Sequence, residues 1–226
     1  MASVSEVVFR NRTDAGRQLA EALTRSVAGG SLTPPVVLAL PRGGVPVAFE
    51  VARKLGAPLD VILVRKLGAP GRPELAMGAI GERDVRVLNP SVLHAAGVSQ
   101  RTLARIEGRE RTELERRAAL YRSTRAPVEL AGHDVVIVDD GLATGATARA
   151  AIAVARAGDA RRVVLAVPIA PPDVAEQFAT IADAVVTVET PARLWAIGSW
   201  YADFTQTGDD EVQRLLRDAT AWTSES

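Results

Sequence analysis

Hydrophobic residues in this chain occur either in short, nearly continuous runs or in longer stretches with helical spacing. The short runs, rich in β-branched residues, predict buried strands at 36–40, 59–64, 85–88, 135–138, 162–167 and 184–188. The helical patterns lie at 14–28 (after Thr13 as a cap), 45–55, 99–122, 148–156, from Pro172 onward, and 209–219. Alternation of strands and helices predicts an α/β fold, with an open, mostly parallel twisted sheet flanked by helices.

Two stretches are unusual within this pattern. Residues 67–82 match neither a strand nor a helix and contain several glycines and prolines. A connection of that length in a compact domain usually covers or binds a ligand, so we expect a flexible lid at about 67–82. The helix at 99–122 is charge-rich, and we expect it to present a solvated face.

The amino-acid composition argues against several classes of protein, among them disulfide-stabilised, thiolate-dependent and strongly basic nucleic-acid-binding proteins. The 226 residues suit a single domain over 1–226, and 47% of them are hydrophobic. Lysine plus arginine equal aspartate plus glutamate at 27 each, so no overall field favours nucleic acid or a membrane surface. The absence of cysteine excludes disulfides, thiolate metal sites and thiol nucleophiles. No secretory signal is visible and the apolar runs are short, so we expect a cytoplasmic protein.

The segment 135–147 carries the strongest chemical signal. A strand is followed by Asp139 and Asp140, then by a Gly/Thr loop, then by an Ala-rich helix. Unpaired backbone N–H groups and the positive end of a helix dipole converge at such a loop, which makes it a phosphate cradle. The spacing matches neither a Walker loop nor the G-x-G-x-x-G dinucleotide turn. The alternative is an ordinary βα turn with a surface acidic pair.

Two further segments follow predicted strands, where ligands of open α/β sheets bind. After strand 36–40 comes Pro-Arg-Gly-Gly at 41–44, whose glycines allow a phosphate to approach the backbone. After strand 59–64 come the adjacent cations Arg65 and Lys66. Each segment alone is also compatible with a common strand–turn connection.

The chain places four of its few aromatic residues between 195 and 204. Such a cluster can stack on a planar ligand, and Trp195 precedes Gly198, where close backbone approach is possible. For Trp200, Tyr201 and Phe204 the alternative is a satellite hydrophobic cluster under the C-terminal helix.

Together these motifs resemble those of type I phosphoribosyltransferases, and among them a broadly distributed, poorly characterised subgroup. Residues 135–147 are similar to the signature for phosphoribosyl pyrophosphate (PRPP), and Pro-Arg-Gly-Gly is similar to the pyrophosphate loop. Arg-Lys-x-Gly at 65–68 resembles the same region of adenine phosphoribosyltransferases. The aromatic segment resembles the family's hood, which we expect at about 189–208.

The resemblance implies a role for each matching residue. The PRPP-binding residues would be Arg42, Gly43, Gly44, Arg65, Lys66, Asp139, Asp140, Gly141, Leu142, Ala143, Thr144, Gly145, Ala146 and Thr147. Of these, Arg42, Lys66, Asp139 and Asp140 would act in catalysis, and the two aspartates would hold Mg²⁺ directly or through water. A cis peptide bond would join Pro41 to Arg42. Trp195 and Ile197 would bind the base.

Two departures from the family pattern affect this interpretation. Gly141 replaces a branched aliphatic residue, which loosens the loop. Ala143 stands where 6-oxopurine enzymes place the aspartate that serves the purine N7, so the loop is closer to that of adenine and uracil enzymes.

The implied function is Mg²⁺-dependent transfer of phosphoribosyl from PRPP to a small nitrogenous base, or the reverse pyrophosphorolysis, in nucleotide salvage. The enzyme could form a homodimer, and neither a membrane nor nucleic acid is an expected partner. The alternative is a non-catalytic, PRPP- or nucleotide-sensing regulator on the same fold. No Gly-x-Ser-x-Gly motif, catalytic triad or metal cluster supports a hydrolase.

Overall fold

A computed structural model describes residues 8–26, 32–82, 84–122, 126–143 and 145–223. The helices are α1 (Arg12–Ser26), α2 (Gly44–Leu55), α3 (Pro90–Ala95), α4 (Gln100–Arg122), α5 (Ala146–Ala157), α6 (Pro172–Phe178) and α7 (Asp209–Thr223). The strands are β1 (Pro35–Ala39), β2 (Leu59–Val61), β3 (Val64–Ala69), β4 (Arg72–Gly81), β5 (Arg86–Leu88), β6 (Asp134–Val138), β7 (Arg162–Ile169) and β8 (Ala184–Glu189). A 3₁₀ helix, Ile197–Trp200, lies between β8 and α7.

The main sheet confirms the predicted α/β architecture. Its five strands lie in the order β2-β1-β6-β7-β8, and every neighbouring pair is parallel. From β1 the chain continues to β2 on one side, whereas from β6 it continues to β7 and β8 on the other. The strand order therefore reverses between β1 and β6, and ligands of open α/β sheets bind at such a point.

Helices cover both faces of the main sheet, which explains the continuous β-branched run at 135–138. Val136 and Val138 pack into a cluster with apolar residues of α1, α2 and α7. Val135 and Ile137 pack on the opposite face against α5 and α6. Because neither side of this strand faces solvent, apolar residues are favoured at every position and not only at alternate ones.

Residues 67–82 do not form the irregular loop that their composition predicted. Most of them belong to the antiparallel hairpin of β3 and β4, and β5 extends this hairpin to a three-stranded sheet. A Cβ on Gly78 would lie 2.3 Å from the carbonyl oxygen of Val87, and one on Gly81 would lie 2.6 Å from Val154. These two glycines permit close packing against β5 and α5. They do not indicate a flexible loop, which is what the sequence predicted.

The predicted strand 59–64 was too long, because β2 ends at Val61 and the chain re-enters extended structure at Val64. Lys66 consequently lies within β3, opposite Ala79, and does not begin a loop. The turn of the hairpin is at residues 70–71, where Gly71 has a positive φ of 72°.

The start of α1 also differs from the prediction, which took Thr13 as the cap. The backbone N–H of Asp14 donates to Oδ1 of Asn11 over 3.0 Å, while the Asp14 carboxylate accepts from the N–H of Arg10. Asn11 is therefore the capping residue, and Arg12 begins the helix. Across the described part of the chain, no helix combines the length and apolarity that crossing a membrane requires.

Candidate active site

The loops after β1 and β6 begin side by side at the point where the strand order reverses. The N–H of Leu40, just after β1, donates to the carbonyl of Val138 at the end of β6 over 2.8 Å. The first loop is Pro-Arg-Gly-Gly, and the peptide bond from Pro41 to Arg42 is cis, as the resemblance implied. The second loop starts with the acidic pair.

The two glycines of the first loop pack directly on that acidic pair. A Cβ on Gly43 would lie 2.1 Å from Oδ2 of Asp140, and one on Gly44 would lie 2.7 Å from the carbonyl oxygen of Val138. Gly43 has φ −59° and ψ −33°, which any residue can adopt. What these positions require is therefore space, because the loop approaches the acids more closely than a side chain allows.

Arg12, which no sequence motif singled out, binds the same acid. Its Nε lies 2.9 Å from Oδ2 of Asp140, and a second guanidinium nitrogen lies 2.8 Å from the same oxygen. A third nitrogen donates to the carbonyl of Thr205 over 2.7 Å, and the guanidinium stacks 3.9 Å from the ring centroid of Phe204. Since 128 residues separate Arg12 from Asp140, no local sequence signal connects them.

The charges of the acidic pair are strongly perturbed. Burial, together with the carboxylate of Asp140, raises the pKa of Asp139 well above its usual value. Burial also raises the pKa of Asp140, although Arg12 opposes that shift. The N–H of Asp140 donates to Oδ1 of Asp139, and the Tyr201 hydroxyl donates to the Asp140 carbonyl over 2.6 Å. Pairs of perturbed acids held in place in this way are typical of functional sites.

The loop from the acids to α5 is shaped by packing at both of its ends. A Cβ on Gly141 would lie 2.6 Å from Cγ2 of Ile197, so Ile197 occupies the space that a larger residue at 141 would fill. The N–H of Leu142 donates to the carbonyl of Ile169, and the Leu142 side chain is buried. Thr144 lies outside the described residues.

The N-terminus of α5 has the properties of an anion site. Its N-cap, Gly145, has φ 68° and makes no side-chain capping bond, and the first turn, which includes Thr147, carries no acidic residue. A Cβ on Gly145 would also collide with the ring of Phe178 at 2.4 Å. The first N–H groups of a helix have no partner within it, and together with the helix dipole they suit a phosphate.

The aromatic segment divides into a packed part and an exposed part. The Tyr201 ring lies 5.2 Å from that of Phe9 and 5.0 Å from that of Phe204, and Trp200 packs on the same cluster. Trp200, Tyr201 and Phe204 form a satellite hydrophobic cluster, as the alternative expectation had it, but the cluster packs against the N-terminal segment around Phe9 and not against α7. Trp195 is 88% exposed and belongs to no core cluster.

Two of the candidate cations, Arg42 and Arg65, pair with carboxylates on two different helices, α7 and α4. Arg42 lies 3.8 Å from Oδ1 of Asp209, which also accepts the Tyr121 hydroxyl over 2.7 Å. Arg65 forms a two-nitrogen ion pair with Glu110 of α4, with distances of 2.9 and 2.6 Å. Burial opposes ionisation of Glu110, but its arginine partners hold its pKa below the usual value.

A cavity of about 700 Å³ adjoins the first loop and the start of α5. Pro41, Lys66 and Thr147 line it, and its far wall is one face of α4. That face, which was expected to be merely solvated, contributes three arginines to the lining: Arg105, Arg109 and Arg117. Their spacing of four and eight residues places them on one side of the helix, which is the signal that could have identified them.

The two carboxylates of the acidic pair fit a hard cation that takes its other ligands from a substrate and from water. Asp139 and Asp140 offer carboxylate oxygens, but one oxygen of Asp140 is already bound by Arg12. The described residues include no group of three or more potential ligands. Mg²⁺ is commonly held by one or two carboxylates together with substrate phosphates and water, which this arrangement permits.

Comparison with known proteins adds independent findings. The model of the phosphoribosyl transferase domain family matches residues 8–200. Two Mycobacterium tuberculosis proteins, from strains CDC 1551 / Oshkosh and ATCC 25618 / H37Rv, bear the name "putative phosphoribosyl transferase". Each is 54% identical to this chain over 209 residues, which make up 92% of the chain and 46% of the relative. The chain thus spans less than half the length of these relatives.

A solved structure is similar over nearly its whole length. The crystal structure of TT1426 from Thermus thermophilus superposes with a TM-score of 0.85 at 47% sequence identity. The match covers 93% of this chain and 98% of that protein.

Proposed function

The chain belongs to the phosphoribosyl transferase domain family, and from this membership we propose that it transfers a phosphoribosyl group from PRPP to a small nitrogenous base. The reaction would break the bond between C1′ and the pyrophosphate oxygen and form a bond to a ring nitrogen, with inversion at C1′. The reverse pyrophosphorolysis uses the same groups.

The convergence of three segments on one acidic pair carries the proposal. Gly43 packs on the Asp140 carboxylate, and Ile197 packs on Gly141 directly after the acidic pair. The helix α5, whose N-cap Gly145 makes no side-chain bond, begins five residues further on. An acidic pair, a glycine loop and a helix N-terminus are what a ribose with phosphates at both ends needs. A ribose can donate hydroxyls to the acids while its phosphates lie at the backbone loops.

Each part of the site has a proposed task in this reaction. Asp139 and Asp140 accept hydrogen bonds from the ribose hydroxyls. They would also hold Mg²⁺, whose charge would neutralise that of the pyrophosphate oxygens. The segment from Gly141 to Thr147 binds the 5′-phosphate. Arg42 and Lys66, with the loop glycines, bind the pyrophosphate. Positioning and charge neutralisation supply most of the catalysis, because little proton transfer is required.

The hairpin of β3 and β4 is the proposed cover of the site. Lys66 and Gly68 through Gly71 line the cavity beside Pro41, so the hairpin already forms one wall. Closing this wall over PRPP would exclude water, which would otherwise attack the cation-like ribosyl centre.

The hood is the proposed acceptor site. Ile197 reaches Gly141 in the loop after the acids, and the exposed Trp195 ring is two residues away along the chain. Ala143 offers no carboxylate to a purine N7, which favours adenine or a pyrimidine over 6-oxopurines. The reaction would serve nucleotide salvage in the cytoplasm, and a homodimer stays a prediction.

A panel of nucleobases incubated with PRPP and Mg²⁺, scored by pyrophosphate release, tests the proposal. One base should support turnover, and Asp139→Asn should abolish it while leaving the free energy of unfolding equal or higher, because the raised pKa of Asp139 marks a strained charge. Binding of PRPP without turnover on any base would support the regulator instead. Absence of PRPP binding would overturn both functions.

A further inference from the structure

The cavity beside the proposed active site concentrates positive charge in a chain whose net charge is zero. Among the residues that the structure describes, five cationic side chains and one carboxylate line it. They are Arg65, Lys66, Arg105, Arg109 and Arg117, with Glu110 as the carboxylate. A local excess of this size in a concave, partly apolar site creates a strong attraction for anions.

The ion pairs within the lining do not cancel this excess. Arg65 and Arg109 share the single carboxylate of Glu110, with contacts of 2.6 and 2.8 Å. Arg117 likewise shares its carboxylate partner, Glu113, with a second arginine outside the cavity. Arg105 has no ion-pair partner in the part of the chain that the structure describes. The charge of Arg105 and one of the two charges at Glu110 therefore remain available to a ligand.

The helix that carries these arginines is firmly held. At its last residue, Arg122, the guanidinium Nε donates to both oxygens of the buried Asp60 over 3.0 Å, and another nitrogen donates to the carbonyl of Val61 over 2.6 Å. Glu110, itself largely buried, fixes Arg65 of the hairpin against the same helix. The backbone positions of the α4 arginines are therefore fixed, so binding an anion has to order only their side chains.

We propose that this face of α4 is the outer half of a polyphosphate-binding site. In it, Arg105, Arg109 and Arg117 contact the diphosphate of PRPP and the pyrophosphate that leaves. The assignment of the ligand to PRPP rests on the proposed function, whereas the binding of a condensed phosphate rests on the cavity alone. The position of Pro41 and Thr147 at the cavity makes it continuous with the inner, loop-bound half.

The cavity is large enough to hold condensed phosphates longer than pyrophosphate. About 700 Å³ is well within the range of sites for whole small-molecule ligands and leaves room beyond a single pyrophosphate. Inorganic tripolyphosphate carries more charge than pyrophosphate, so it should bind more tightly and with a steeper dependence on salt.

Calorimetric titration of inorganic pyrophosphate and tripolyphosphate tests the site without any acceptor base. The double variant Arg105→Gln with Arg109→Gln should weaken both ligands by about tenfold or more, since charge-assisted hydrogen bonds are lost. The control is Arg101→Gln with Arg111→Gln, which removes the same charge from α4 outside the cavity lining and leaves the carboxylate partners of the lining arginines unchanged. It should change the dissociation constants less than about twofold, because these side chains do not line the cavity and act on the anion only through screened, longer-range attraction.

The outcomes separate this site from the proposed function. Equal weakening in both double variants, or none in either, would overturn the α4 site. If the lining variant alone weakens pyrophosphate binding but no base supports turnover with PRPP, the site stands and the transfer reaction fails. If transfer occurs and the lining variant leaves both the KM for PRPP and the pyrophosphate affinity unchanged, the reaction stands and the site fails.

Discussion

Arg12 holds the carboxylate of Asp140 through two guanidinium nitrogens, at 2.9 and 2.8 Å from the same oxygen. The arginine begins α1 and the aspartate follows β6, so the pair joins the N-terminal helix to the carboxyl end of the central strand of the main sheet. The contact fixes Asp140 against Gly43 and opposes the burial that raises its pKa. A ribose bound at Asp140 would have to share that carboxylate with Arg12.

Loss of Arg12 should therefore destabilise the protein. Arg12→Ala leaves the Asp140 carboxylate without its cation, and we expect the free energy of unfolding in urea to fall by roughly 1–3 kcal/mol. Adding Asp140→Asn removes the stranded charge, so the double variant should be more stable than the sum of the two single effects predicts. Strict additivity would show that the ion pair is not energetically coupled.

Gly43→Ala should disrupt the site by steric overlap. The added methyl group would lie 2.1 Å from Oδ2 of Asp140, which forces the loop and the acid apart. We expect a destabilisation of about 1–3 kcal/mol, and PRPP affinity that is reduced by about tenfold or more. Gly108→Ala is the control, because a Cβ there meets nothing within 4 Å on α4 and should stabilise by about 0.5–1 kcal/mol. Unchanged PRPP binding in Gly43→Ala would contradict the site.

PRPP should increase the protection of the 67–82 hairpin in hydrogen exchange. Most of these amides are already paired between β3 and β4, so the gain should be largest at the turn around Gly71, where the ladder ends. The α3 helix, Pro90–Ala95, serves as the internal reference. Identical exchange with and without saturating PRPP, with binding verified independently, would remove the hairpin from its role as a cover.

Trp195 and Trp200 should respond differently to truncation. Trp195 is 88% exposed, so Trp195→Ala should change stability by less than about 0.5 kcal/mol. If its ring stacks on the acceptor, the KM for the base should rise by the equivalent of about 1–3 kcal/mol, with PRPP affinity unchanged. Trp200→Ala, in the aromatic cluster, should lower the melting temperature. An unaltered KM for the base in Trp195→Ala would refute the stacking role.

Neither of the chain's two tyrosines should ionise at an ordinary pH. Burial, with the hydrogen bond to Asp209, raises the pKa of Tyr121 to about 12, and burial raises that of Tyr201 as well. Because the folded pKa of Tyr121 exceeds the unfolded value near 10, its contribution to stability is complete below about pH 10 and is lost between about pH 10 and 12.

Tyrosinate absorbance measured against pH checks this expectation. The folded protein should show no ionisation step at about pH 10, and the step near 12 should disappear in Tyr121→Phe. A step near pH 10 in the folded protein that Tyr121→Phe removes would mean that the hydroxyl of Tyr121 is free in solution and does not contact Asp209.

The strands of the main sheet and the place of the acidic pair could be predicted from local sequence alone. Runs such as 135–138 are strongly apolar and β-branched, which is a local property, so the strands could be read without knowledge of their neighbours. The acids after β6 and the glycines after β1 follow directly in sequence from those strands. Their meeting at one edge is a consequence of parallel pairing.

Which other groups reach that end of the sheet depends on contacts between distant segments. The spacing of the α4 arginines places them on one side of the helix, but it does not tell whether that side faces solvent or a cavity. Nothing near Arg12 in the sequence points to Asp140, which is 128 residues away. The glycines of the hairpin look the same in sequence whether they allow flexibility or close packing, because only the neighbouring β5 and α5 remove the space for a Cβ. Contacts between distant segments, unlike secondary structure, depend on the complete arrangement of the chain.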